Sequence, residues 1–214
     1  MQYLGQFQTI GFLLVVGLVC FGGAAFAAEP FGHVGAVSLY KAIHKHGDRY
    51  RQVNLLATVG VILLLAGFIL LARVTWPANP AVTSIGLTLL GIAIILWLIE
   101  VGVRITSTVA TAHDVMRGVA PPARFPQTIG VGLEFLFIAF LVTALIGIAA
   151  LLWGLGEAGV LSSNLTQAGV VILVASSVFG AREYPWVGAV ERILFYPFVG
   201  VVLPLAILLL SHSR

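Results

Sequence analysis

Apolar residues in this chain gather into long runs, broken by short polar or proline-containing stretches. The runs reach the roughly 20 residues a helix needs to cross roughly 30 Å of hydrocarbon. Six stand out, at about 9–28 with an extension to 40, 53–72, 81–103, 129–153, 163–180 and 187–210. The pattern predicts an all-α, polytopic integral membrane helix bundle of about six transmembrane helices. Turn chemistry separates the runs. Trp76-Pro77-Ala78-Asn79-Pro80 closes the second, and Gly118 with Pro121-Pro122 follows the third, which is expected to stay helical to near His113. Pro30 is expected to bend the extension of the first, because proline removes an intrahelical hydrogen bond and clashes with the preceding turn.

Composition agrees with lipid as the solvent. Of 214 residues 60% are hydrophobic and 9% charged, with a mean hydropathy of +1.08, whereas soluble domains carry roughly 25% charged residues. No polar stretch exceeds a loop, so residues 1–214 read as a single transmembrane domain. Chemistry is then confined to the bundle or to short loops. Cys20 is the one cysteine, which excludes an intrachain disulfide and a cysteine-based metal site; it reads as a small packing residue. The stretch ending Ala25-Phe26-Ala27-Ala28 resembles a signal-peptide cleavage region, but no basic segment precedes it, so a retained helix is expected.

Charge placement predicts the topology. With six spans, Lys41, Lys45, Arg49, Arg51, Arg104, Arg117, Arg124, Arg182 and Arg192 fall on one side, and Arg73 and Arg214 on the other. Lysine and arginine are retained on the cytoplasmic side during insertion. The loops after spans one, three and five are therefore expected to be cytoplasmic and both termini outside, in a plasma (inner) membrane. Trp76 and Trp153 then mark one headgroup level, and Tyr184 and Trp186 the other. The net charge of +3 follows from this topology, and no nucleic-acid partner is expected.

Three helices per half would make a 3+3 inverted repeat, an architecture of secondary transporters. The second run begins Asn54-Leu55 and ends Ala72-Arg73, and the fifth begins Asn164-Leu165 and ends Ala181-Arg182. Gly60 and Gly169, then Ala66 and Ala175, match after a one-residue gap. Chance likeness between two apolar helices produces the same pattern, and spans one and four, or three and six, show no match.

Ionisable groups at membrane depth are costly and mark candidate sites. Glu29 and His33 lie near the end of the first run, Glu100 and Arg104 near the end of the third, and Glu134 inside the fourth. Glu100 and Arg104 are spaced i, i+4 with the acid first, the favourable order for a pair on one helical face. That spacing fits an anchoring ion pair and also a gate or proton-coupled pair. Glu29 and His33 share the same spacing around Pro30, suited to a proton relay or to residues reaching for the interface. Glu134 has no partner at i±4, so a carboxylate there must be protonated, wet or paired with another helix. Pro197 and Pro204, with Gly200, are candidate helix breaks of the kind that line transporter sites; plain structural kinks fit them equally.

Histidine placement bears on cofactors. A membrane haem needs facing imidazoles within the spans, and His33 with His113 is the one weak pair for haem or metal. No Cys-x-x-Cys, His-x-x-His or Glu-x-x-His spacing occurs, nor a phosphate-cradling glycine loop, nucleophile elbow or zinc-protease motif. No cofactor and no metal site are expected, and neither are catalytic residues. The basic stretch 41–51 carries the topology signal and is suited to anionic headgroups. Small residues from Gly22 to Ala28 let the first helix pack closely on a neighbour or on another subunit of a homo-oligomer or membrane complex.

Three readings remain open. The first is a small-solute or ion transporter or channel, proton-coupled in one version, using Glu134, Glu29, His33, Glu100 and Arg104. The second is a non-catalytic membrane subunit or scaffold of a larger complex, energy-transducing in one version. The third is an intramembrane redox subunit or enzyme binding quinone, haem or metal.

Overall fold

The computed structural model describes residues 4–28, 36–119, 125–180 and 200–211. These residues form helices and the turns between them, with no strand among them. In chain order they are α1 (Leu4–Ala27), α2 (Ala36–Lys45), α3 (Gly47–Thr75), α4 (Pro80–Val103), α5 (Val109–Met116), α6 (Phe125–Glu157) and α7 (Ser163–Gly180). A last helix, α8, covers Gly200–Ser211. A π-helical turn, Arg104–Thr108, joins α4 to α5 without interrupting the rod.

Four helical stretches among the described residues are long and apolar enough to cross a membrane: Gln6–Ala24, Gly47–Thr75, Pro80–Met116 and Phe135–Glu157. Ser163–Ala175 and Gly200–Ser211 are apolar but shorter. Most of the sixth expected span, Pro30 and Pro197 lie outside the described residues. Many large apolar side chains point outward, including Phe12, Val19, Ile62, Ile95, Phe135 and Val171. Exposed apolar surface on this scale is unfavourable in water, and hydrocarbon removes the cost.

Two pairs of helices make the frame: α1 lies along α3 and α4 along α6, with α3 touching both α4 and α6, and α7 against α6. Glycine sets each close approach. A Cβ on Gly60 of α3 would lie 2.5 Å from the Phe21 backbone nitrogen and 2.9 Å from the Gly17 carbonyl oxygen of α1. Gly86 of α4 and Gly147 of α6 face each other in the same way, each with its neighbour's carbonyl 3.1 Å from where a Cβ would sit. Small residues allow this because helices in lipid associate by backbone proximity and dispersion rather than by the hydrophobic effect. Around these crossings Leu14, Phe68, Leu71, Leu90, Ile148, Leu151 and Leu155 are fully buried.

The turn between α3 and α4 is locked by side chains. Asn79 caps α4, its Oδ1 accepting from the Val82 N–H at 3.0 Å, and Pro80 opens the helix, where its missing N–H costs nothing. Asn79 Nδ2 donates to Glu157 Oε2 at 2.7 Å, and Trp153 Nε1 donates to Glu157 Oε1 at 2.9 Å. Below them the buried Thr83 hydroxyl meets Thr75 Oγ1 at 2.9 Å.

At the opposite, basic end the chain departs from the sequence reading. The polar stretch 41–52, expected to connect two spans, is helical in α2 and the first turns of α3. Ile43 and Tyr50 bury themselves against Ala112 of α5, with Tyr40 and Val109 around them, and this small second core holds the polar segments in helical form. Pro204 lies within the helix Gly200–Ser211, whose Val201, Val202, Leu205, Ala206 and Leu209 are buried. Leu210 and the Ala206 carbonyl of this helix sit 2.7 and 3.0 Å from where a Cβ on Gly11 would project, seating α8 on α1.

Candidate functional site

The buried face of α4 runs Thr83, Gly86, Leu90, Ala93, Trp97 and then Glu100 with Val101, a spacing of three and four that keeps every member on one side of a helix. Glu100 therefore occupies a core position. It is 1% exposed, and Arg104 one turn later is the reason a carboxylate is tolerated there. Arg104 Nε and Glu100 Oε1 form an ion pair within the helix, and the arginine side chain is 30% exposed. The pair thus connects a closed interior to the surface.

Arg104 begins the π-helical turn. Its backbone N–H is shared between the carbonyls of Glu100 and Val101, and the Thr106 hydroxyl donates to the Gly102 carbonyl at 2.6 Å. A π turn inserts one residue into the helical register and is common at functional positions. The Arg104 guanidinium carbon also lies 5.8 Å from the centre of the Phe137 ring of α6, within the range of a cation–π contact.

Trp97, one turn inward from Glu100, gathers the remaining helices. Its ring is 4.8 Å from Phe140 of α6 and 6.1 Å, edge-on, from Phe21 of α1, centre to centre. Its Nε1 donates to Thr58 Oγ1 of α3 at 3.2 Å. Thr58 in turn donates to the Asn54 carbonyl at 2.8 Å, and the buried Asn54 amide donates to the Tyr50 carbonyl at 2.8 Å. Four helices, α1, α3, α4 and α6, thereby meet at one aromatic and polar plug directly beneath the ion pair.

Of the residues singled out from the sequence, Glu100 and Arg104 are brought together. Glu29 and His33 fall outside the described residues. Glu134 lies on α6, one turn before Phe137. His113 stacks on His44 of α2, ring centres 5.4 Å apart and 28° from parallel; His44 is helical rather than in a loop. Among the described residues no three of His, Cys, Asp or Glu are gathered as a metal would require. Trp97, Thr58, Phe137 and Phe140 were not singled out from the sequence. The signal for Trp97 was present: it precedes Glu100 and Arg104 at i, i+3, i+7, the spacing of a shared face.

Compared with models of known protein families, with curated proteins and with solved structures, the chain matches none.

Proposed function

We propose that this protein is a small-solute or ion transporter or channel of a plasma (inner) membrane, with the Glu100–Arg104 pair as its charge-handling element. The observation that carries this reading is a core carboxylate held by an arginine that itself reaches the surface. An isolated carboxylate is not left charged in an apolar interior. If Arg104 swings outward, Glu100 takes up a proton or a cation in its place; when Arg104 returns, that proton or cation is released. The π turn provides local backbone freedom for such a movement, and the Trp97–Phe140–Phe21 plug closes the space on the inner side. Glu134, on the helix that carries Phe137, is the second carboxylate of the proposed path, and Glu29 and His33 are its further candidates from the sequence. The proposal includes six spans, the basic loops in the cytoplasm, and α3 and α7 as equivalent members of an inverted repeat.

The test is flux through purified protein in sealed liposomes containing a trapped pH-sensitive dye, with a potassium diffusion potential as the driving force and sodium, potassium and chloride supplied in turn. The expected result is proton or ion flux above empty liposomes that is lost in Glu100→Gln and reduced in Glu134→Gln. Wild-type liposomes no leakier than empty ones to any of these ions would contradict the reading, and full flux in Glu100→Gln would remove the pair from it.

A further inference from the structure

The π turn carries a second feature on its outer side. Beyond Arg104, helices α2, α3 and α5 enclose an open groove of about 440 Å³. One wall is apolar, formed by Ile43, Ile105 and Val109. The other carries His44, His113 and Arg51. All three are exposed, so their nitrogens are accessible to a ligand. Among the described residues no carboxylate lines the groove; Asp48 stands beside it, 3.4 Å from Arg51, and Asp114 follows His113 on α5. The floor is open as well, since a Cβ on Gly47 would meet nothing closer than Val109 Cγ1 at 4.0 Å.

Position and chemistry point to one occupant. The groove sits where the long apolar helix Pro80–Met116 passes from its hydrophobic stretch into its polar end. A lipid molecule whose chains lie beside that helix would bring its phosphate to this level. We infer that the groove binds the phosphate headgroup of an anionic membrane lipid, with Arg51, His44 and His113 facing the phosphate and Ile105 and Val109 against the glycerol and first methylenes. Arginine and imidazole nitrogens are donors suited to phosphate oxygens, and the apolar wall selects an amphiphile over a free anion. The stacked imidazoles join α2 to α5, so an occupied groove braces the segment that follows Arg104. This inference does not depend on the transport reading.

The test uses the full chain in mild detergent, with native mass spectrometry after addition of phosphatidylglycerol or phosphatidylcholine at equal concentration. The expected spectrum shows a retained phosphatidylglycerol adduct on the wild type and far less phosphatidylcholine. Arg51→Gln and His113→Gln are each expected to weaken that adduct roughly fivefold. Lys41→Gln, a basic change on the same helix as His44 but outside the groove lining, should leave it unaltered. Unchanged melting behaviour of each variant separates loss of the site from loss of the fold. Equal retention of the two lipids would overturn the inference, as would a Lys41→Gln effect as large as that of Arg51→Gln, the sign of diffuse attraction. Displacement of the lipid by millimolar inorganic phosphate would overturn the lipid as occupant.

Discussion

At the scale of single residues the account turns on an asymmetry within one ion pair. Glu100 is buried at 1% exposure and Arg104 is 30% exposed, so the two truncations leave different debts. Arg104→Met leaves Glu100 buried without its partner, so that the carboxyl must take up a proton or stay uncompensated, expected to cost roughly 3 kcal/mol. Glu100→Gln leaves an arginine that can turn toward polar surroundings, at about 1 kcal/mol. Thermal unfolding in detergent should rank Arg104→Met clearly below Glu100→Gln; the reverse order would mean that the arginine, not the carboxylate, is the trapped member. The i, i+4 spacing made this pair legible in the sequence. Its surroundings were not legible: Thr58 and Phe140 reach Trp97 from helices 39 and 43 positions away in the chain (97 − 58 and 140 − 97), and no local pattern encodes such a meeting. The same holds for His44 and His113, which stack only because α2 and α5 pack together.

At the scale of elements, glycines decide how closely the rods approach. Gly60→Ala places a methyl 2.5 Å from a backbone nitrogen of α1, which no side-chain rotation relieves. A loss of roughly 1–3 kcal/mol is expected. Gly91→Ala, on α4 with nothing within 4 Å, should instead gain about 0.5–1 kcal/mol from helix propensity. Denaturation of the two variants side by side checks the α1–α3 crossing, and equal effects would contradict it. Asn79→Ala removes both the α4 cap and the bond to Glu157, and a loss of about 1 kcal/mol in the same assay is expected from the cap. Hydropathy located the apolar centres of these helices but shortened their ends. The second expected span began at residue 53, whereas α3 begins at Gly47, because Tyr50 packs on Ala112 and stabilises turns whose composition is polar. The π turn left no mark in composition, since neither proline nor paired glycines announce it.

At the scale of the whole molecule, the outward-facing apolar residues and the four helices long and apolar enough to cross a membrane fit a multi-pass membrane protein. The basic residues of α2 and of the first turns of α3, with His113 of α5, gather beyond one end of the bundle, and Arg73 with the Asn79, Trp153 and Glu157 clamp lies at the other. Charge counting along the sequence divides the two ends in the same way, and the cytoplasmic side of the basic end is the expectation of the positive-inside rule. The groups of the candidate site then lie near the basic end, within the last turns of α4. The most direct measurement is two-sided labelling. In a Cys20→Ser background, Lys45→Cys and Ala78→Cys flank α3, and each is treated with a membrane-impermeant maleimide on intact cells and on inside-out vesicles. The account predicts labelling of position 78 from the cell exterior and of position 45 only from the exposed cytoplasmic face. Labelling of both positions from the same side would contradict it.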